Sequence, residues 1–204
     1  QRIEVSSKWD KIPLCYPAVI VQKGATIVEI GPGRGDFLFH LAQENPEAAI
    51  IGIELKSKRY FKLIDRVQKL GLDNVQLIQA DARYAIKNFG AVSLREIHIN
   101  FPDPWPKRKH TGNRLLAAEF IKDCANALCE GGVLYFVTDA EWYAEDVKAL
   151  VSAAMKEFER LEIDRNDFYP TFFAQKWLKE GRDIFCQRWL KRTAPDGKIF
   201  SGTI

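Results

Sequence analysis

Paired cysteines are missing from this sequence. Cys15, Cys124, Cys129 and Cys186 are scattered, with no Cys-x-x-Cys among them. Together with three isolated histidines they offer no metal-ligand spacing, so no metal centre is expected. A chain of 204 residues is also large enough to bury a full core without disulfide staples. Both points indicate a reducing, cytoplasmic setting. No apolar run approaches the roughly 20 residues of a membrane span, and nothing at the N-terminus has the make-up of a signal peptide. Internal repeats, low-complexity tracts and linkers are lacking too. One domain is therefore expected over 1–204, with residues 1–23 as a partly ordered arm.

A large excess of one charge is the next absence. Thirty Lys and Arg against 27 Asp and Glu leave a net charge of +3, which decides little. Its distribution matters more. "KSKRYFK" (56–62), "PKRKH" (106–110) and "RWLKR" (188–192) gather positive charge locally, as solvated faces or as a surface for a phosphate-rich partner.

What is present is an alternation of short β-branched runs and longer amphipathic segments. Strands are expected at 25–30, 49–54, 75–79, 95–100 and 133–138. Helices are expected at 37–46, 57–71, near 82–88, at 114–132 with Gly131 and Gly132 as terminator, and at 141–157. Residues 158–163 and 183–190 read as two antiparallel strands joined by an irregular segment. Strand and helix in this alternation predict an α/β, doubly wound sheet.

In such sheets ligands sit at the carboxyl ends of the strands. The first strand runs into "EIGPGRGDF", where Gly31, Gly33 and Gly35 permit a tight turn open to a ligand. Dinucleotide turns have Gly-x-Gly-x-x-Gly and seat a pyrophosphate on a helix N-terminus. Here the spacing differs, and Glu29 and Asp36 flank the turn with negative charge that would repel a diphosphate. Carboxylates suit an ammonium group instead. Glu54 ends the second strand, where an acid can accept from both ribose hydroxyls, and Asp81 follows the third, within reach of an adenine amino group. Acids at three successive strand ends beside a glycine turn point to S-adenosyl-L-methionine as cofactor. Over residues 24–140 the pattern resembles the class I methyltransferases, which implies a mostly parallel, seven-stranded Rossmann-like sheet with an antiparallel C-terminal hairpin edge.

The fourth strand leads into Asn100-Phe101-Pro102-Asp103-Pro104-Trp105. Each proline fixes its own φ and biases the residue before it toward extended backbone, so the Asp103 carboxylate can be aimed at low entropic cost. Trp105 is either a stacking face or a packing tryptophan. A carboxylate here can accept from N1–H and the exocyclic N2–H of guanine. N7, on the opposite edge, carries an in-plane lone pair and needs no base to attack a methyl. Catalysis would then rest on positioning and on carboxylates favouring the cationic product.

At this point the chain resembles the tRNA (guanine-N7-)-methyltransferases: "NFPDPWPKRKH" is similar to the family's signature, with "GIE", "ADA" and "VTDAEWYAE" as counterparts. The resemblance implies tRNA as partner and a variable-loop guanine as acceptor. It also implies that Glu29, Glu54, Asp81 and Asp103 line the cofactor site, with Asp103 catalytic. Lys107, Asp139 and Thr171 would contact the acceptor guanosine or its surroundings, with Lys176 matching the same C-terminal motif. On independent grounds Lys107, Arg108, Lys109 and His110 lie where a tRNA backbone would pass, with Arg114 extending that surface. The chain departs from the family at Thr111-Gly112-Asn113, where basic residues are usual, and at Ala174, where a glutamate is usual. Family members are monomers or homodimers, and the sequence fixes neither. Two other readings stay open: a methyltransferase for exocyclic amines of adenine or guanine, and a non-catalytic tRNA- or partner-binding relative.

Overall fold

Short strands form where β-branched residues recur, and β1 (Thr26–Ile30) and β2 (Ala49–Glu54) are buried on both faces. The computed structural model describes residues 25–89, 94–163 and 168–192. The N-terminal arm lies outside the described residues. β1 (Thr26–Ile30), β2 (Ala49–Glu54), β3 (Val75–Gln79), β4 (Leu94–Asn100) and β5 (Leu128–Thr138) are parallel. β7 (Phe185–Lys191) adds antiparallel to β5, and β6 (Phe158–Leu161) closes that edge. The order β3-β2-β1-β4-β5-β7-β6 is the predicted mostly parallel seven-stranded sheet with an antiparallel C-terminal edge. The strand order reverses between β1 and β4, and that crevice is where such sheets bind ligands.

Period-two alternation assigns the two faces. Ile27 and Ile50 face α1 (Asp36–Glu44) and α2 (Ser57–Leu70), packing with Leu38, Phe39 and Leu63. Val28, Ile30, Ile97 and Phe136 face the other way, toward α3 (Ala82–Ala85), α4 (Ala118–Ala127) and α5 (Glu141–Ala154). Trp189 of β7, 1% exposed, carries this second core layer out to the antiparallel edge.

Two elements differ from the sequence expectation. The helix predicted over 114–132 is only Ala118–Ala127, and Leu128 already has extended backbone. Gly131 and Gly132 end no helix; they form a bulge inside β5. Opposite them the register jumps from Leu94↔Leu128 to Glu96↔Val133. Gly131 adopts φ +74°, and a Cβ on Gly132 would lie 2.7 Å from the Cys129 carbonyl. Apolar spacing cannot separate a helix end from a bulged strand start when both are rich in Leu, Cys and Ala. The segment read as irregular contains a further helix, α6 (Phe172–Lys179).

Gly35 joins the glycine turn to α1 at φ +84°, and a Cβ there would meet Leu63 and the Phe39 ring at 2.6 Å. Both neighbours are buried, so neither can swing away. Gly35→Ala is expected to cost about 2 kcal/mol through backbone strain and overpacking. Denaturant unfolding checks this, and an unchanged midpoint would contradict it.

Candidate active site

The carboxyl ends of β1 to β5 bring the predicted acids to one rim. Gly31, Gly33 and Gly35 all take positive φ (71°, 58° and 84°), which curls the turn over the end of β1. Its backbone is tied to β2: Gly31 N–H donates to Ile53 O at 2.8 Å, and Gly33 N–H to Glu54 Oε2 at 3.2 Å. Glu54 Oε1 also accepts from Lys56 N–H at 2.8 Å. Two amides therefore fix this buried carboxylate.

Glu29, 2% exposed, is held differently. Its Oε1 accepts from Asn100 Nδ2 at 3.3 Å, while Oε2 is buried without any hydrogen-bond partner. Burial pushes its pKa up to about 8; the Asn100 bond opposes this, and the charges of Asp36 and Glu54 add to it. A buried acceptor left open costs free energy unless something fills it. That oxygen could accept from a cationic donor.

Asp81 follows β3 and caps α3, accepting from Arg83 N–H at 2.9 Å. The Arg83 guanidinium grips both carboxylate oxygens, Nε donating to Oδ1 at 3.0 Å and NH2 to Oδ2 at 2.6 Å. Of the three acids at the first three strand ends, it is the one already charge-compensated.

At the end of β4, Phe101 and Trp105 are the two described non-glycine residues with positive φ, 49° and 45°. They bracket Pro102-Asp103-Pro104. Bulky residues there are strained by roughly 1–3 kcal/mol each and persist only when held in place. Phe101 N–H donates to Val137 O at 2.8 Å, and Pro104 O accepts from Arg114 Nε at 3.1 Å. Between these anchors Asp103 is exposed and makes no hydrogen bond or ion pair with the described residues. Trp105 is 38% exposed, its ring 5.6 Å from that of His110, so it is half packed and half presented. Lys107, Lys109 and His110 follow in and around the 3-10 turn Arg108–Asn113, the two lysines exposed.

The residues expected to face the acceptor gather around α6 (Phe172–Lys179). Thr171 caps this helix, its Oγ1 accepting from Ala174 N–H at 3.1 Å. Ala174 is fully buried beneath it. Lys176 Nζ sits 4.2 Å over the Trp177 ring and 3.9 Å from Glu180. Asp139, just beyond β5, pairs with Arg182 at 2.7 Å, and Arg182 also stacks on Trp177 at 3.9 Å. Three ties hold α6 at the rim. Arg34 of the glycine turn lies 4.3 Å over Phe172, the Phe101 and Phe173 rings are 6.4 Å apart, and Arg182 reaches Asp139.

A cavity of about 410 Å³ opens beside this rim, lined among others by Phe37, His40, Asn100, Phe101, Tyr169 and Pro170. It has the size and aromatic character of a small-molecule or base pocket. Asp103 lies outside its lining. Sequence reasoning did not single out Asn100, Arg34 and Phe172, which make contacts at this rim. Asn100 could have been found from strand order alone, because β4 neighbours β1 at the switch point. Among the described residues no group of acids, histidines and cysteines is arranged to hold a metal ion.

This sheet order, glycine turn and set of strand-end acids define the class I methyltransferase fold. A SAM-dependent methyltransferase from Aquifex aeolicus matches with a TM-score of 0.60 at 13% identity, over 85% of each chain, a likeness of fold alone. A family profile described as "Putative methyltransferase" matches residues 23–187. The tRNA (guanine-N(7)-)-methyltransferase of Thermotoga maritima is 31% identical over 86% of this chain, and that of Geobacter metallireducens 31% over 93%. The chain spans 56% of the Thermotoga relative's length and 95% of the Geobacter one's. It belongs to the tRNA (guanine-N(7)-)-methyltransferase family.

Proposed function

We propose that the protein transfers a methyl group from S-adenosyl-L-methionine to N7 of a guanine in the variable loop of tRNA. The observation that carries this reading is Asp103, held exposed at the end of β4 between two prolines and two left-handed residues.

The residues present fit the cofactor. Glu29 offers a buried open oxygen for an ammonium group. The glycine turn leaves room for the amino-acid moiety, Glu54 offers its remaining lone pairs to ribose hydroxyls, and Asp81 flanks the adenine position. A dinucleotide does not fit, because Asp36 and Glu54 flank the turn where its phosphates would sit and the Gly-x-Gly-x-Gly spacing is not that of a pyrophosphate turn. When bound, the cofactor supplies a methyl group made electrophilic by its sulfonium.

The chain's own residues then orient the base. Asp103 accepts from N1–H and N2–H and leaves N7 unobstructed, and no general base is required. The strand-end carboxylates favour the positive charge the purine gains. Lys107, Lys109, His110 and Arg108 pass the tRNA backbone across the rim, while Asp139, Thr171 and Lys176 border the acceptor nucleoside. A cytoplasmic setting suits this substrate, and no helix of the described residues is long and apolar enough to cross a membrane.

The test incubates the protein with labelled S-adenosylmethionine and unmodified tRNA, then maps the product by borohydride–aniline cleavage. Cleavage at a variable-loop guanine is expected. Label on N6 of adenine or N2 of guanine would replace this reading with the exocyclic-amine one. Cofactor binding without transfer would leave a tRNA-binding relative.

A further inference from the structure

Arg114 reads in the sequence as one more cation on a tRNA-facing surface, but its guanidinium is turned inward. Nε donates to Pro104 O at 3.1 Å, and NH1 donates to Asp146 Oδ2 on α5, also at 3.1 Å. The plane lies 4.7 Å over the Trp142 ring and 5.8 Å from Tyr143, and the side chain is only 18% exposed. Arg114 is reachable for this because the helix expected to begin there starts four residues later, at Ala118, leaving Arg114 in extended backbone.

We infer that Arg114 is a positioning residue that holds the Pro102-Asp103-Pro104 turn in its reactive shape, and is not a contact for the tRNA backbone; this rests on the reading of Asp103 given above. A strained turn needs an anchor on each side. On the amino side Phe101 is bonded to Val137 within the sheet. On the carboxyl side Arg114 joins the Pro104 carbonyl to α5, one residue before the left-handed Trp105. Its charge is already matched by Asp146 and its face covered by aromatic rings, so little of it is left for a phosphate. Only a planar fork can serve both acceptors while stacked, so a lysine, with one compact ammonium, should not replace it.

The two roles separate experimentally in Arg114→Lys and Arg114→Ala. A positioning residue predicts that both variants lose at least about tenfold in kcat. The KM for tRNA should stay within about twofold, and the salt dependence of tRNA binding should not change. Amide exchange at Phe101, whose N–H is bonded to Val137 O, should speed up several-fold, with the neighbouring strands unaffected. A backbone contact predicts the reverse: Arg114→Lys near wild type, the loss confined to tRNA affinity, and a salt slope shallower by roughly 0.7–0.9 in Arg114→Ala. Any of these, or exchange unchanged at Phe101, would overturn the inference. If Arg114→Ala does not fold, Arg114→Lys alone decides. If the wild-type protein methylates no tRNA, the proposed function fails by itself, and the exchange comparison still decides what Arg114 does.

Discussion

Glu29→Gln is expected to weaken S-adenosylmethionine binding by about a hundredfold or more and to stabilise the unliganded protein in alkaline solution. Both effects have one origin. Glu29 is buried with one oxygen unpaired, and its folded-state pKa is about 8 against an ordinary 4.5. In the free protein the neutral acid is the favoured form. The stability it allows is fully present below about 4.5 and is lost as pH rises through about 8, where the folded state must accept a buried charge. A glutamine cannot ionise, so the variant escapes that decline, by a few kcal/mol at most for a shift of this size. Binding reverses the preference. On the proposed reading an ammonium against Oε2 would hold Glu29 ionised, so complex formation would release a proton. Affinity should climb by up to tenfold per pH unit toward pH 8, then fall as the cofactor's own α-amino group, of ordinary pKa about 8, loses its proton. Calorimetry in buffers of different ionisation enthalpy counts that proton directly. A flat affinity profile in the wild type, or Glu29→Gln binding within threefold of it, would contradict the assignment.

The acids at the strand ends were legible because topology does the work. Once strands alternate with helices in a parallel sheet, the residues after β1, β2 and β3 must meet at one rim, whatever their rotamers. What was not legible depends on tertiary neighbours. Asp139 and Arg182 are 43 residues apart, and no local pattern pairs them. Asp81 with Arg83 is local, but whether Arg83 turns back or reaches out is a choice of rotamer. α6 was missed because eight residues give barely two turns of periodicity, although Thr171 before "FFAQKW" carries an N-cap signal. That omission mattered, since α6 is the element that ties the glycine turn, the proline turn and the end of β5 together. Ala174 shows the same limit. The residue sits fully buried under the helix while its neighbours Gln175 and Lys176 are exposed. A glutamate placed there would need its own burial arranged, so the departure from the family is also a matter of packing.

Asp103→Ala should lower kcat by roughly 100- to 1,000-fold while leaving cofactor affinity and the melting temperature nearly unchanged. The side chain is exposed and bonds to no described residue, so its loss removes no packing. On the proposed reading it removes two hydrogen bonds that N1–H and N2–H of the base donate to a charged acceptor, each worth about 1.5–3 kcal/mol. Asp103→Asn should be nearly as poor, because the amide sets one NH2 against the N–H donors of guanine. The base itself supplies the control. A tRNA carrying inosine at the target lacks the exocyclic amine but keeps N1–H and N7, so the wild type should use it about tenfold less well than guanosine. In Asp103→Ala that preference should vanish, since the acceptor that reads the amine is gone. Comparing kcat/KM for two enzymes on two substrates isolates the coupling between this carboxylate and that amine. Equal guanosine preference in both enzymes would mean that Asp103 does not touch the Watson–Crick edge, and its place in the mechanism would fall with it.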